Sequence, residues 1–480
     1  MRLSCAVLLL LLCASTEFAG EPLRLDARNP HYFSFRGQPV VLVTSGEHYG
    51  AVINRDFNYV AYLDELSRNH LNLTRIWVGP YREVSGNFSI ANNTLAPRPE
   101  AFLTPWPRSA TPGAADGANR FDLSRWNPEY FARLKDFLRE AEKRGIVVEV
   151  NLFCPYYEDS MWKVSPFNAT NNTNGVGAMP RTEVLTMKHP EMVAFQDAMV
   201  RKIVAELGGF GNLYYEICNE PYFGGVTLDW QRHIASVIAE AEQKLPARHL
   251  ISQNIANGST KIDDPNPLVS IFNFHYSRPA DSVALNYALG RVIGNNETGF
   301  DGRADSTYRI QGWEFLLAGG ALYNNLDYSF TTGHERGDFG ADAKTPGGGS
   351  AALRSQLRVL RDFFDRIPFV AMKPASGVIQ SGLPEGAWAR VLAQPGKAYA
   401  IYVCQAGLTK DAAKHFTVDA GERQIRLAVD LPAGSYEAVW INTKSGRTDQ
   451  RVRFTHAGGS KTLESPRYSE DVALRIRSTK

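Results

Sequence analysis

Short apolar runs alternate with stretches of helical periodicity from residue 39 to residue 364. Pro39–Val43 is the first run. Phe57–Asn69 follows it, with Tyr59, Leu63 and Leu66 on one stripe. Leu71–Val78 is the second run. Trp126–Arg144 then puts Tyr130, Phe131, Leu134, Phe137, Leu138 and Ala141 on one face, and Gly145 stands where a helix ends. Further runs lie at Ile146–Phe153, Asn212–Cys218, Leu250–Asn254, Leu268–Tyr276, Arg291–Gly299 and Ala321–Tyr328. Helical stretches separate most of them, at Pro190–Leu207, Leu228–Leu245, Ala280–Leu289 and Thr307–Ala318, and Ala351–Phe364 closes the series. Unbroken apolar runs of this length read as strands buried on both faces. Eight of them alternating with helices predict an α/β fold of the (β/α)8 TIM-barrel type. A hairpin is expected ahead of it, His31–Phe35 with Gln38–Val43, turning at Arg36-Gly37 and feeding the first strand.

The texture changes after Ala371. Trp388–Ala393, Tyr399–Cys404, Arg423–Val429, Tyr436–Ile441 and Val472–Arg477 are β-rich or alternating, with Gly, Pro and Asp turns between them. They predict a small antiparallel β-sandwich. The expected division is therefore a barrel over 21–372 and a sandwich over 373–480. Two long irregular segments interrupt the barrel, roughly 80–120 and 154–189. Loops of that length without elements of their own tend to be functional.

Residues 1–20 have the make-up of a secretory signal: Met1-Arg2 for charge, an apolar run Val7–Leu12, and small residues from Ala14 to Gly20. Cleavage is expected near Ala19 or Gly20, and the location secreted or periplasmic. A lipid anchor at Cys13 is an alternative, though Leu12 suits that processing poorly. No later stretch reads as a membrane span. The formal net charge of +2, without a long basic run, argues against a nucleic-acid partner. Cys154, Cys218 and Cys404 follow the signal with no metal-type spacing and make no disulfide framework. The glycine-rich loop with Asp338 and Asp342 lacks EF-hand spacing. No cofactor and no metal is expected. Seven Asn-x-Ser/Thr sequons occur, at Asn72, Asn87, Asn92, Asn168, Asn171, Asn257 and Asn296.

Chemistry concentrates where the apolar runs end. Asn219 and Glu220 arrive together after Leu213–Cys218, and Pro221 stops the run. Glu297 stands at the tip of another run, and Glu47 and His48 lie just past the first. Arg75 sits inside an otherwise apolar strand and so requires a carboxylate partner. Strand C-termini form the face on which barrel active sites are built. Two carboxyl groups at the ends of two strands of one barrel are what cleavage of a glycosidic bond needs. Each glutamate taken alone also reads as a solvated loop residue. Glu47 and His48 read either as ligands of sugar hydroxyls or as contacts between neighbouring loops. Trp106, Tyr156, Tyr157, Trp162, Tyr222 and Phe223 are candidate sugar-stacking walls or packing residues.

With these residues in place, the chain resembles the retaining glycoside hydrolases of the cellulase-like clan that includes the family-five glycosidases. Asn219-Glu220-Pro221 after an aromatic-rich fourth strand matches that clan's acid/base motif, and Glu297 on the seventh strand matches its nucleophile. The resemblance implies that Arg75 holds the nucleophile, that Asn219 binds the sugar 2-hydroxyl, and that His275 and Tyr276 match the region of a His/Tyr pair. On that basis Tyr276 orients Glu297, and His275 contacts Glu220 or a hydroxyl; the alternative for His275 is a satisfied core histidine. Tyr436–Gly446 resembles the accessory sandwich of many bacterial members. There are two departures. His275 and Tyr276 are adjacent rather than separated by one residue, and Asp327-Tyr328 stands where a tryptophan is common at the end of strand eight. The implied activity is hydrolysis of O-glycosidic, β-configured bonds in an oligo- or polysaccharide. The rival expectation is a catalytically idle carbohydrate-binding protein on the same barrel.

Overall fold

The computed structural model describes residues 21–245, 247–340, 344–407 and 417–479. Residues 1–20, with Cys13, and Asp342 lie outside the described residues. Eight parallel strands form the barrel: β1 (Leu42–Gly46), β2 (Leu73–Trp77), β3 (Val147–Asn151), β4 (Leu213–Glu216), β5 (Ile251–Asn257), β6 (Ile271–His275), β7 (Val292–Glu297) and β8 (Leu322–Leu326). The hydrogen-bonded ladder runs unbroken from β1 through β8 and back down to β2. Between β1 and β2 a side chain completes the ring. Asn72 donates to the Val41 carbonyl at 2.9 Å and accepts from the Val43 amide at 2.9 Å, while its own amide donates to Val43 O at 3.1 Å. This sequon asparagine is buried and occupied.

The first strand differs from expectation. Gln38–Val40 belongs to a separate three-stranded antiparallel sheet with Arg24–Asp26 and Asn29–Phe35, and the barrel strand begins only at Leu42. The apolar run Pro39–Val43 hid that break because both segments are buried there. A helix follows every barrel strand except β5, where the chain crosses to β6 through a loop. The long segment after β2 contains a hairpin, Arg108–Pro112 with Asn119–Phe121, and the segment after β3 contains the short helix Asp159–Val164.

The C-terminal part stacks a six-stranded antiparallel sheet on a three-stranded one. The strand Ala398–Cys404 is buried at every position. Ala398, Ala400, Tyr402 and Cys404 join the barrel's core, whereas Tyr399, Ile401 and Val403 join the sandwich's own. Period-two geometry sends alternate side chains to opposite faces, so a strand buried on both faces loses its polar alternation. The seam to the barrel is also polar. Arg309, on helix Asp305–Leu317, pairs with Asp471 at 3.0 Å and Glu470 at 2.5 Å, and Trp313 stacks on Tyr402 with centroids 5.4 Å apart. Among the described residues no helix is long and apolar enough to cross a membrane.

Candidate active site

The C-terminal ends of β1, β2, β4, β6 and β7 converge on one cleft of about 310 Å3. Arg75, fully enclosed on β2, is its electrostatic centre. Its Nε donates to Glu149 at 2.5 Å and its Nη1 to Glu297 at 3.0 Å; its Nη2 donates to Asn219 at 2.7 Å and also reaches Glu216. The required partner is thus three carboxylates rather than one. Glu149 and Glu216 lie deeper in the barrel and went unrecognised in the sequence, because a glutamate in an apolar strand carries no mark of the side it faces. Burial, with the neighbouring Glu216, pushes Glu149 up to about 8 despite Arg75. Asn296 bridges the pair, donating to Glu149 and Glu216 at 2.9 Å each.

Asn296 and Glu297 are consecutive, yet both reach the barrel interior. A register irregularity explains this: Phe274 pairs with Asn295 but His275 pairs with Glu297, leaving Asn296 as the extra residue of a bulge. Asn296 is fully buried and bonded, so this fold has no room for a glycan at its sequon.

Glu297 accepts from Tyr276 at 2.5 Å on one oxygen, and from Tyr49 at 2.8 Å and Arg75 at 3.0 Å on the other. Burial by itself would raise its pKa. The charge and hydrogen bond of His275, with Arg75 and Tyr276, outweigh it and hold the carboxyl well below the usual carboxylate range. Glu220 accepts from Tyr157 at 2.5 Å and Tyr222 at 3.2 Å. His275 Nδ1 stands between the two acids, 3.1 Å from Glu220 and 3.4 Å from Glu297. The imidazole is fully buried, which disfavours its cation, but Glu297 and Glu220 push it up to about 9. The nearest ligand atoms of Glu220, His275 and Glu297 lie within 4.8 Å of one another. These three are the group at this site that could hold a metal, but the Arg75 guanidinium already supplies positive charge to Glu297, which disfavours a second cation there.

Four non-glycine residues in the left-handed region face this cleft: Tyr49 (φ 61°), Phe88 (φ 55°), Glu220 (φ 36°) and Tyr276 (φ 50°). Such strain persists where surrounding contacts over-determine it, and it clusters at functional sites. At Glu220 the following Pro221 adds a further restriction.

The remaining expected residues divide. Asn219 lines the cleft, but its amide is engaged, accepting from Arg75 and donating to Tyr157 at 2.8 Å. His48 lines it too and pairs with Glu83 at 3.1 Å. Glu47 does not line it: its carboxylate accepts from the amides of Gly50 (3.1 Å) and Ala51 (3.0 Å) and from Thr94 (2.6 Å), so it organises the loop after β1. Tyr157 and Phe223 are on the cleft wall. Trp106, Tyr156 and Trp162 are packing residues: Trp106 meets Phe167 and Trp126, and Tyr156 meets Trp162. Tyr49, Trp77, Glu83, Phe88, Asn257 and Phe300 also line the cleft. Of these only Tyr49 stood beside a sequence signal, directly after Glu47 and His48. Asp327, just past β8, is tied to Arg354 at 2.8 Å, and the buried Tyr328 backs Phe300, which lines the cleft, with ring centroids 6.3 Å apart.

No family model and no curated protein matches this sequence. Solved structures do. A provisionally assigned glycoside hydrolase of Bacteroides vulgatus superposes with a TM-score of 0.67 at 15% identity, over 97% of this chain and 83% of that one. A family 5 glycoside hydrolase of the same organism gives 0.59 at 12% identity, over 95% and 94% of the two chains. A further structure described as a glycoside hydrolase gives 0.58 at 12%, over 96% and 97%. The chain therefore shares with these proteins the fold of an eight-stranded parallel barrel followed by antiparallel sheets.

Proposed function

We propose that this chain is a retaining glycoside hydrolase in which Glu297 is the nucleophile and Glu220 the acid/base. The observation that carries the reading is the pair itself: one carboxyl oxygen of Glu297, on β7, and one of Glu220, past the end of β4, lie within 4.8 Å of each other across an open cleft. Retaining enzymes hold their carboxyl groups about 5–5.5 Å apart and inverting ones about 6.5–9.5 Å, to leave room for water. The environments divide the labour. Glu297, ionised beside Arg75 and His275, attacks the sugar carbon as the leaving oxygen takes a proton from Glu220. Glu220 then takes a proton from the water that releases the sugar. Tyr49 and Tyr276 orient the nucleophile. Asn219 fixes Tyr157 and Arg75, and exchanging one of these bonds for a sugar 2-hydroxyl would let it act in the transition state. In this reading 21–372 is the catalytic barrel, 373–480 the accessory sandwich, 1–20 a secretory segment, and the scissile bond β-configured in a glycan or glycoside.

Azide rescue tests the assignment. Glu220→Ala should still form the glycosyl-enzyme from an activated aryl glycoside and stall; azide should restore turnover with retained configuration. Glu297→Ala should form no covalent intermediate, and azide should give inverted product. The reverse stereochemistry would exchange the roles. Silence of the wild type on all aryl glycosides and polysaccharides would favour the idle binding protein.

A further inference from the structure

Among the described residues, every exposed Phe, Tyr or Trp stands at or beside this cleft: Phe88 (37%), Phe223 (43%) and Phe300 (38%) line it, and Tyr222 (37%) is bonded to Glu220. Three of the four are phenylalanines, which have no polar handle. Isolated exposed apolar residues need no explanation, but their convergence on one opening marks a binding surface.

Their placement is asymmetric. Phe300 packs edge-on to Tyr276 at 5.8 Å, on the Glu297 side. Phe88 and Phe223 flank Tyr157, edge-on at 5.4 Å and tilted at 5.8 Å. Tyr157 donates to Glu220 at 2.5 Å. These three rings thus wall the side from which the leaving group departs, since the acid/base must reach the leaving oxygen. Phe88 is held there by a strained turn: Gly86, Phe88 and Ser89 all have positive φ, and Asn87 anchors the turn by accepting from Val84 N at 2.7 Å. A sugar in this position would call for hydrogen-bonding side chains beside the rings. The hydroxyls nearby are already committed: Tyr157 donates to Glu220, and the single proton of Tyr222 is shared between Glu220 and the Asn257 side-chain oxygen.

We infer that the leaving-group side of the cleft, formed by Phe88, Tyr157 and Phe223, is built for an apolar aryl aglycone rather than a further sugar. This rests on the hydrolase reading of Glu220 and Glu297 for its direction, though not for the existence of the site. The substrate class is then a glycoside whose sugar lies on the Glu297 side and whose planar apolar group lies against the three rings.

The test uses the full chain and two probes. The first is binding of 2-naphthol alone, by titration calorimetry, to wild type, Phe88→Ala and Phe223→Ala. The second is kcat/KM for phenyl and 2-naphthyl glycosides of one sugar, with an oligosaccharide of that sugar as comparator. Phenol and 2-naphthol are similar acids, so their ratio reports ring contact rather than leaving-group activation. Naphthol should bind the wild type and weaken roughly three- to tenfold with each ring removed. The naphthyl-over-phenyl preference should collapse in the same variants, and the oligosaccharide should be the poorer substrate. No naphthol binding, or an oligosaccharide preference that both variants abolish, would overturn the inference. Naphthol binding that depends on both rings, with every glycoside left intact, would support the aryl site and overturn the hydrolase reading instead.

Discussion

The imidazole of His275 lies between two acids, and its titration measures how strongly the site is polarised. In the wild type it should lose its proton near pH 9 rather than 6.5. That difference corresponds to about 3 kcal/mol, at 1.36 kcal/mol per pH unit. Burial opposes the shift, so the two carboxylates supply more than the net figure, and Glu297 is the larger contributor. Glu297→Gln keeps the shape and the Tyr49, Tyr276 and Arg75 neighbours but removes the charge. It should lower the His275 pKa, because the largest favourable influence on the cation is gone. The assay is an NMR titration of histidine ring resonances, with His275→Gln assigning the signal. Stability follows in sign. A raised histidine pKa contributes stability that is fully present below about 6.5 and lost as pH rises through about 9. The unfolding midpoint of the wild type should therefore fall across that window, and that of Glu297→Gln should fall less. A His275 that titrates at or below 6.5, or one indifferent to Glu297→Gln, would refute the ion-pair description of the site.

Three other outcomes are expected. Tyr49→Phe removes a buried 2.8 Å hydrogen bond to the Glu297 carboxylate, a class worth roughly 1.5–3 kcal/mol, and should lower both kcat/KM, about tenfold or more, and the unfolding midpoint. Asn72→Ala leaves the Val41 carbonyl and Val43 amide unpaired at the β1–β2 seam, at roughly 1–3 kcal/mol for each group, so thermal unfolding should drop by several degrees. Arg309→Met leaves Asp471 buried without its cation, at about 3–5 kcal/mol, and limited proteolysis should then cut between barrel and sandwich; an unchanged digestion pattern would show that the apolar seam suffices.

The sandwich is also more than an appendage. Ala398, Ala400, Tyr402 and Cys404 complete the barrel's own core, so a chain ended near Ala371 would expose that face. A truncated protein that lost turnover would report a damaged barrel as readily as a missing catalytic group.

By itself the sequence determined the barrel and the polar residues gathered at its strand ends. Hydrophobic period alone separates buried strands from amphipathic helices, and helices Pro190–Leu207 and Ala351–Phe364 match their sequence stripes end to end. Asn219, Glu220 and Glu297 were legible because polar residues that end apolar runs have one common destination in a barrel. Arg75 was legible because a buried guanidinium demands an anion. Tertiary structure alone decided the rest. Glu149 and Glu216 joined Arg75 through registers between β2, β3 and β4 that local pattern does not encode. The β7 bulge turned Asn296 inward beside Glu297 against strict alternation. Glu47 and His48 are adjacent in sequence, but backbone amides after β1 claimed the first and the cleft kept the second. Trp106 and Phe88 come from the same long segment, yet one is buried and the other rims the cleft. Period is a property of neighbours along the chain. Which acid meets which cation depends on partners dozens to hundreds of residues away, and the closed barrel supplies them.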